Sequence, residues 1–362
     1  MYRIGYCITA HGYGHAARSA AVMEALSGLV DVHFTLITRI PEWFFRNSIP
    51  GSFTVHPVQV DVGLVQRSAL EIDLPATVNR LGSFYPLHKK ILQNCSSALS
   101  GCHLVVSDIA PLGIAAAREA NIPSVLLENF TWDWIYEAYL AAWPQLNQFI
   151  THIKELYSMA DWRIQAEPVC TKCRCDLLAA PIARKIRNNR DAIRSKLNVQ
   201  HDKHLVLLSM GGEGIQRLPL DVLEKCPDTV FLVSGLKDSV QDLGNLRILR
   251  EDSGFFHPDL VAASDAVVGK VGYSTLAEVY HAGVPFGYIQ RPDFRESEPL
   301  SQFVKRNMGG ISISVEEFVS GGWVEVLPRL FALGGDKKAL VNGADQCAEF
   351  IASLLPSHSK TP

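Results

Sequence analysis

The chain has no run approaching the ~18 consecutive apolar residues that a membrane-crossing helix needs, which argues against an integral helical membrane protein. No apolar segment with a basic flank opens it, so nothing marks it for secretion and a cytoplasmic location is expected. It also lacks an excess of charge. Thirty-four Lys and Arg against 37 Asp and Glu leave a formal net charge of -3, which gives no electrostatic reason to expect nucleic acid as a partner. The eight cysteines show no disulfide framework: Cys7 and Cys226 sit in or beside core-like patterns, and Cys95, Cys102 and Cys347 are isolated. Cys170-x-x-Cys173-x-Cys175 supplies three thiols, yet no nearby histidine or fourth cysteine completes a tetrahedron, and no metal is expected.

What the chain does have is three glycine-rich turns, each directly after an apolar strand pattern. The most informative lies in DAVVGKVGYSTLAEVYHAGVP, residues 265–285. Ala266-Val267-Val268 suits a strand of a parallel sheet, Gly269 and Gly272 let the backbone turn tightly and approach a ligand, and Ser274 or Thr275 opens a helix. The first turn of such a helix has unpaired N–H groups and a positive dipole end, which together stabilise an anion such as a diphosphate. Glu278 follows one turn later, where a carboxylate accepts hydrogen bonds from ribose hydroxyls. Phosphate plus ribose means nucleotide. One such turn also serves merely to reverse a chain. Two more are present, at Ala10-His11-Gly12-Tyr13-Gly14-His15 after a strand at 2–9, and at Met210-Gly211-Gly212-Glu213-Gly214 after a strand at 204–209.

Each half of the chain alternates apolar strands with amphipathic helices at the spacing of βαβ units. Strands are expected at 2–9, 32–38, 53–59, 103–107 and 124–128, then at 204–209, 229–233, 246–249, 266–268 and 286–289. An α/β fold of two Rossmann-like domains follows: an N-terminal one over 1–180, a nucleotide-binding one over 181–342, and a closing helix and tail over 343–362 that packs back on the first. The 362 residues and 48% hydrophobic content suffice for two cores. The basic stretch Arg184 to Arg190 reads as a solvated helix face at the start of the second domain.

Two Rossmann-like halves, with a glycine turn ending in His15 and a nucleotide turn in the second half, resemble a GT-B glycosyltransferase of the MurG type. HGYGHAAR (11–18), ENFTWDWIY (128–136), SMGGE (209–213), SDAVVGKVGYSTLAEV (264–279) and VPFGYIQRPDFRESEPL (284–300) more closely resemble the glycosyltransferase-like N-terminal half of plant L-arabinokinases and their free-standing bacterial relatives. These motifs span about 290 of the 362 residues in the family's order. The plant proteins continue into a sugar-kinase domain, for which the residues after 343–355 leave no room.

The resemblance implies two domains facing across a cleft, a nucleotide-sugar donor on the second and a hydroxyl acceptor on the first. A departing diphosphate needs charge stabilisation. Gly211, Gly212, Gly272, Ser274 and Thr275 are placed to give it, with Gly14 in the first turn as a further backbone contact. Lys270 either adds a cation or faces solvent. No Asp-x-Asp metal motif stands at a matching position, so a metal-independent enzyme without cofactor is expected, its co-substrate a UDP-sugar. His15 is the candidate base. Asp108, ending a strand at its carboxyl end, either orients His15 or holds an acceptor hydroxyl, with an N-cap or loop salt bridge as the structural alternative. His11, Asn129, Trp132 and Asp133 are acceptor-binding candidates; Glu296 and Glu298 are donor-sugar candidates, and Phe256 lies near the base by resemblance. The acceptor is a small molecule or a lipid-linked one. Trp43-Phe44-Phe45 beside Arg39 and Arg46 reads as a buried helix or, alternatively, as a peripheral membrane patch. A sugar-nucleotide epimerase or hydrolase, or a non-catalytic sensor, are the competing functions.

Overall fold

Strand segments rich in Val, Ile, Leu and Phe favour burial on both faces, and in this chain they lie in parallel sheets. The structure, a computed structural model, describes residues 1–210, 220–236, 244–250, 253–334 and 340–356. The expected donor contacts Gly211 and Gly212 lie outside the described residues.

The chain forms two compact units: Met1–Val65, Asp73–Ile182 and Asn342–Pro362 in one, Gln66–Ile72 and Ala183–Val341 in the other. The chain passes between the units at Ile182–Ala183 and Val341–Asn342, and residues 66–72, read with the first half from the sequence, group with the second. They form a small antiparallel pair, Gln66–Ser68 with Glu71–Ile72, and Ala69 between them packs into the second unit's core.

The first unit has a seven-stranded sheet in the order Ser52–His56, Val32–Ile37, Tyr2–Ile8, Leu104–Asp108, Ser124–Glu128, Trp162–Ala166, Leu177–Ala179, every neighbouring pair parallel. The second has six strands in the order Leu246–Arg250, Thr229–Leu236, His204–Ser209, Ala266–Lys270, Phe286–Ile289, Gly310–Ile313, again all parallel. In both sheets the chain starts in the middle, runs outward one way, then returns to continue on the other side. This is the doubly wound order, and it leaves a switch point beside the first strand, where the loops on either side diverge at the strands' carboxyl ends. Between Ile8 and Asp108 in one unit, and between Ser209 and Lys270 in the other, lie the two places where such a fold takes ligands.

Helix Gly343–Ser353 closes the first unit. Ala180 donates its N–H to Gln346 at 2.8 Å, Tyr2 donates its hydroxyl to the Pro356 carbonyl at 2.8 Å, and Cys347 is wholly buried. Helix Glu42–Ser48 buries Phe44 and Phe45, with Tyr13 stacked on Phe44 at 5.2 Å between centroids, so the buried alternative describes most of that aromatic cluster. No described helix is long and apolar enough to cross a membrane.

Candidate functional site

The first strand delivers the chain into the turn at Gly12, which takes φ +64°, and helix Gly14–Ser27 begins two residues later. His15, Arg18 and Ser19 share one face of that helix because three- and four-residue spacings come back to the same side. All three converge on Asp108, at the end of Leu104–Asp108. His15 Nδ1 lies 2.8 Å from Asp108 Oδ1, and Ser19 donates to Oδ2 at 2.9 Å. Arg18 closes the network by donating from Nε to Asp108 Oδ2 at 3.0 Å, from Nη2 to Oδ1 at 2.5 Å and from Nη1 to Asn129 Oδ1 at 2.6 Å.

Arg18 and Asp108 are both buried, at 1% and 0% exposure, while the His15 side chain keeps 12%. Burial pushes the Asp108 carboxyl up, but the charges of Arg18 and His15 and their hydrogen bonds pull it down further, to about 2. An ionised carboxylate 2.8 Å from Nδ1 favours a proton on that nitrogen. The next residue, Ile109, has φ +46°, a left-handed conformation that a β-branched side chain rarely takes; its carbonyl is held by the Tyr157 hydroxyl at 2.7 Å. Such conformations cost about 1–3 kcal/mol and persist where the surroundings fix them.

The second unit carries a parallel arrangement. Ser209 ends its strand and its Oγ lies 3.3 Å from His257 Nε2, while His257 Nδ1 lies 2.6 Å from Glu278 Oε2. Arg184 donates to Glu278 Oε1 from Nε and Nη2, each at 2.9 Å. The Glu278 side chain is 3% exposed; burial raises its carboxyl, and Arg184 and His257 outweigh that to hold it below the ordinary value. Beside this cluster Gly272 caps helix Tyr273–Ala282, which begins one residue earlier than Ser274, with Ser274 and Thr275 half-buried in its first turn. Gly269 is demanded by packing, since a Cβ there would sit 2.0 Å from the Ser209 carbonyl oxygen; at Gly272 a Cβ would meet nothing within 4 Å.

No family model matches the chain. It is 28% identical over 358 residues to the L-arabinokinase of Arabidopsis thaliana, across 96% of this chain and 34% of the plant protein, so it spans about a third of that relative's length. Over 195 residues it is 25% identical to the UDP-N-acetylglucosamine–N-acetylmuramyl-(pentapeptide) pyrophosphoryl-undecaprenol N-acetylglucosamine transferase of Leuconostoc citreum (strain KM20), covering 49% of each. The structure aligns with a UDP-glucosyltransferase from Polygonum tinctorium capable of glucosylating indoxyl at a TM-score of 0.63 and 13% identity, over 98% of both chains. The fold is GT-B.

Within this GT-B chain the residues read from the sequence fall into distinct groups. His15 and Asp108 meet, and Gly14 begins the helix that carries His15. His11 and Trp132 also meet, their rings 5.2 Å apart. Asn129 is fully buried and spends its carbonyl on Arg18; Asp133 is buried with one oxygen lacking a hydrogen bond among the described residues. Phe256 is covered by the guanidinium groups of Arg187 and Arg184, at 4.0 and 4.9 Å from its centroid. Glu296 accepts from Arg291 at 2.9 Å, whereas Glu298 is exposed and accepts from Gln290 and Gln302 at 2.5 and 2.6 Å. Lys270 ends its strand half-buried. Among the described residues no three His, Cys, Asp or Glu side chains are grouped to hold a metal; Cys173 instead accepts from Arg163 at 3.1 Å.

Two side chains of these clusters, Arg18 and Arg184, are absent from the residues that the sequence marks as a site. Arg18 had a local signal, since it is three residues after His15 on a helix. Arg184 has none: it lies in the stretch that reads as a solvated basic face, yet it is buried against Glu278, 94 residues away. Glu278 itself, expected to face a ribose, has both oxygens engaged by protein groups. Its removal therefore acts first on stability. Glu278→Ala strands the buried Arg184 cation, and a loss of about 3–5 kcal/mol is expected by urea denaturation, the usual cost of breaking a buried ion pair. A variant as stable as the parent would show that this pair is neutral to the fold.

Proposed function

We propose that this chain is a glycosyltransferase that moves a sugar from a UDP-sugar to a hydroxyl acceptor without a metal, with His15 as base. The observation that carries the reading is the His15–Asp108 contact at 2.8 Å, clamped by Arg18 and Ser19 at the first unit's switch point. Asp108 holds the imidazole so that Nε2 takes the acceptor's proton as its oxygen attacks the anomeric carbon. The bond from that carbon to the diphosphate breaks, and the leaving group carries away the electron pair. Its charge is met in the second unit by the N-terminus of helix Tyr273–Ala282, with Ser274, Thr275 and Lys270, and by Gly211 and Gly212. Arg184, fixed by Glu278, adds positive charge there. Glu296 and Glu298 are assigned to donor hydroxyls and Phe256 to the neighbourhood of the base.

The fold and the two relatives named as a transferase and a kinase support the class of substrate, a sugar, more than its identity. The plant relative's kinase activity is not assigned here, because the match takes in 34% of that protein.

UDP and UDP-sugars are expected to raise the thermal unfolding midpoint, with about 2.7 kcal/mol of added stability when ligand is a hundredfold above its Kd. A nucleotide panel read by differential scanning fluorimetry checks this, and UDP release from each stabilising sugar nucleotide is then followed with and without candidate acceptors. No shift with any nucleotide rules out the donor assignment. Consumption of the sugar nucleotide without acceptor transfers the protein to the epimerases or hydrolases. Binding without turnover, unchanged in His15→Ala, makes it a sensor.

A further inference from the structure

A segment without regular structure ordinarily stays at the surface, where water satisfies its backbone. Residues 57–65 of the first unit depart from this, since Val60, Asp61, Val62 and Leu64 are all buried. Asp61 is 4% exposed and accepts from Thr9 Oγ1 on Oδ1 and from Trp132 Nε1 on Oδ2, both at 2.8 Å. His11 stands beside it, Nε2 3.8 Å from Oδ1, with a quarter of its side chain exposed. Gly63, at φ +62°, makes room for that imidazole: a Cβ there would sit 2.0 Å from Nε2.

A second observation points to a polar ligand. The Tyr85 hydroxyl is buried, within the reach of the Asp61 charge, and has no hydrogen-bond partner among the described residues. Buried hydroxyls are rarely left so, because the missing bond is costly. An aromatic wall connects this cluster to the catalytic pair, for the Phe130 ring lies 5.9 Å from His15 and 5.4 Å from Trp132. The two histidines of one short turn thus each stand beside a buried carboxylate, His15 at Asp108 and His11 at Asp61. Asp61 accepts one hydrogen bond on each oxygen while a carboxylate has about four acceptor sites, so together with the part-exposed His11 imidazole and the Tyr85 hydroxyl it leaves polar capacity for more than one hydroxyl, and a site built for hydrogen bonds rejects molecules that lack them.

We propose that His11, Asp61, Trp132 and Tyr85 form a hydroxyl-reading subsite next to His15, so that the acceptor is a sugar or related polyol rather than an apolar aglycone. The proposal rests on the transferase reading only in calling that molecule the acceptor.

Saturation-transfer NMR on the full chain, with a panel of free pentoses and hexoses and 4-nitrophenol as the apolar comparison, tests it; UDP binding is measured by calorimetry on the same samples. At least one sugar is expected to bind in preference to 4-nitrophenol. Asp61→Asn should weaken it about 10- to 100-fold and Tyr85→Phe, which removes a single oxygen, about 2- to 10-fold, with UDP affinity kept. No sugar bound by a chain that binds UDP, sugar binding unchanged in either folded variant, or tighter binding of 4-nitrophenol overturns the subsite and leaves the transferase reading standing. Sugar binding that responds to both replacements in a chain that binds no uridine nucleotide keeps the subsite and removes the transferase reading.

Discussion

Replacing His15 with alanine is expected to slow sugar transfer by roughly 10²- to 10⁴-fold, the usual contribution of a positioned base, while UDP still raises the unfolding midpoint as it does in the parent. The separation follows from where His15 sits, in the first unit beside Asp108, whereas the groups assigned to the diphosphate belong to the second. Asp108→Asn keeps the shape and removes the charge that fixes the imidazole's proton on Nδ1, so it should also cost most of the activity. Because the Asp108 carboxyl is held at about 2, it stays ionised through the neutral and mildly acidic range, and it is not the group whose protonation ends activity there. Turnover measured as UDP release across pH in the three proteins checks these statements. Full turnover in His15→Ala removes the base assignment, and loss of UDP binding in step with turnover turns His15 into a donor ligand.

Breaking the Arg18–Asp108 pair is expected to cost about 3–5 kcal/mol, because either single replacement removes the main opposite charge facing the other, which stays buried. Against a total stability of about 5–15 kcal/mol, that loss brings the first unit close to unfolding at ambient temperature. Arg18→Met combined with Asp108→Leu should recover part of it, since no unpaired charge then remains. Urea denaturation of the two single variants and the double variant decides the matter, and strictly additive losses would mean the pair is not coupled. The pH response has a definite sign. The Asp108 carboxyl falls from about 3.9 in the unfolded chain to about 2 in the folded one. Its stabilising contribution is thus complete above about pH 5 and is lost as the pH falls from there towards 2. Asp108→Asn should lose less stability than the parent on acidification through that window.

Much of the architecture was legible because parallel strands buried on both faces read as unbroken apolar runs, as in Ala266-Val267-Val268 and Leu205-Val206-Leu207-Leu208. The strands that escaped lack that property. Trp162–Ala166 alternates with polar residues, Leu177–Ala179 has three residues, and Gly310–Ile313 is an edge strand with a single fully buried position. The switch-point rule puts Asp108 at a strand's carboxyl end and leaves its partner open, and it is the fold that brings it to His15. That rule could not reveal Asp61, whose partners Thr9 and Trp132 lie 52 and 71 residues away, or the Arg184–Glu278 pair, because a buried ion pair has no local pattern. The assignment of Glu278 to a ribose rested on helix spacing alone, and spacing says which face a residue is on, not which partner has already claimed it.

The helix Gly343–Ser353 makes the first unit discontinuous, with Ala183–Val341 inserted before its last piece. A ribosome adding about 5–20 residues per second needs roughly 8–30 s to cross that insertion. For that interval the nascent chain already holds His15, Arg18 and Asp108, but the side of the sheet that Cys347 will cover is bare. The second unit, by contrast, has its sheet strands, from His204–Ser209 to Gly310–Ile313, in one uninterrupted stretch and can be assembled first. The order of completion is therefore the reverse of the order of translation: the half whose synthesis starts first is the last to have all its pieces.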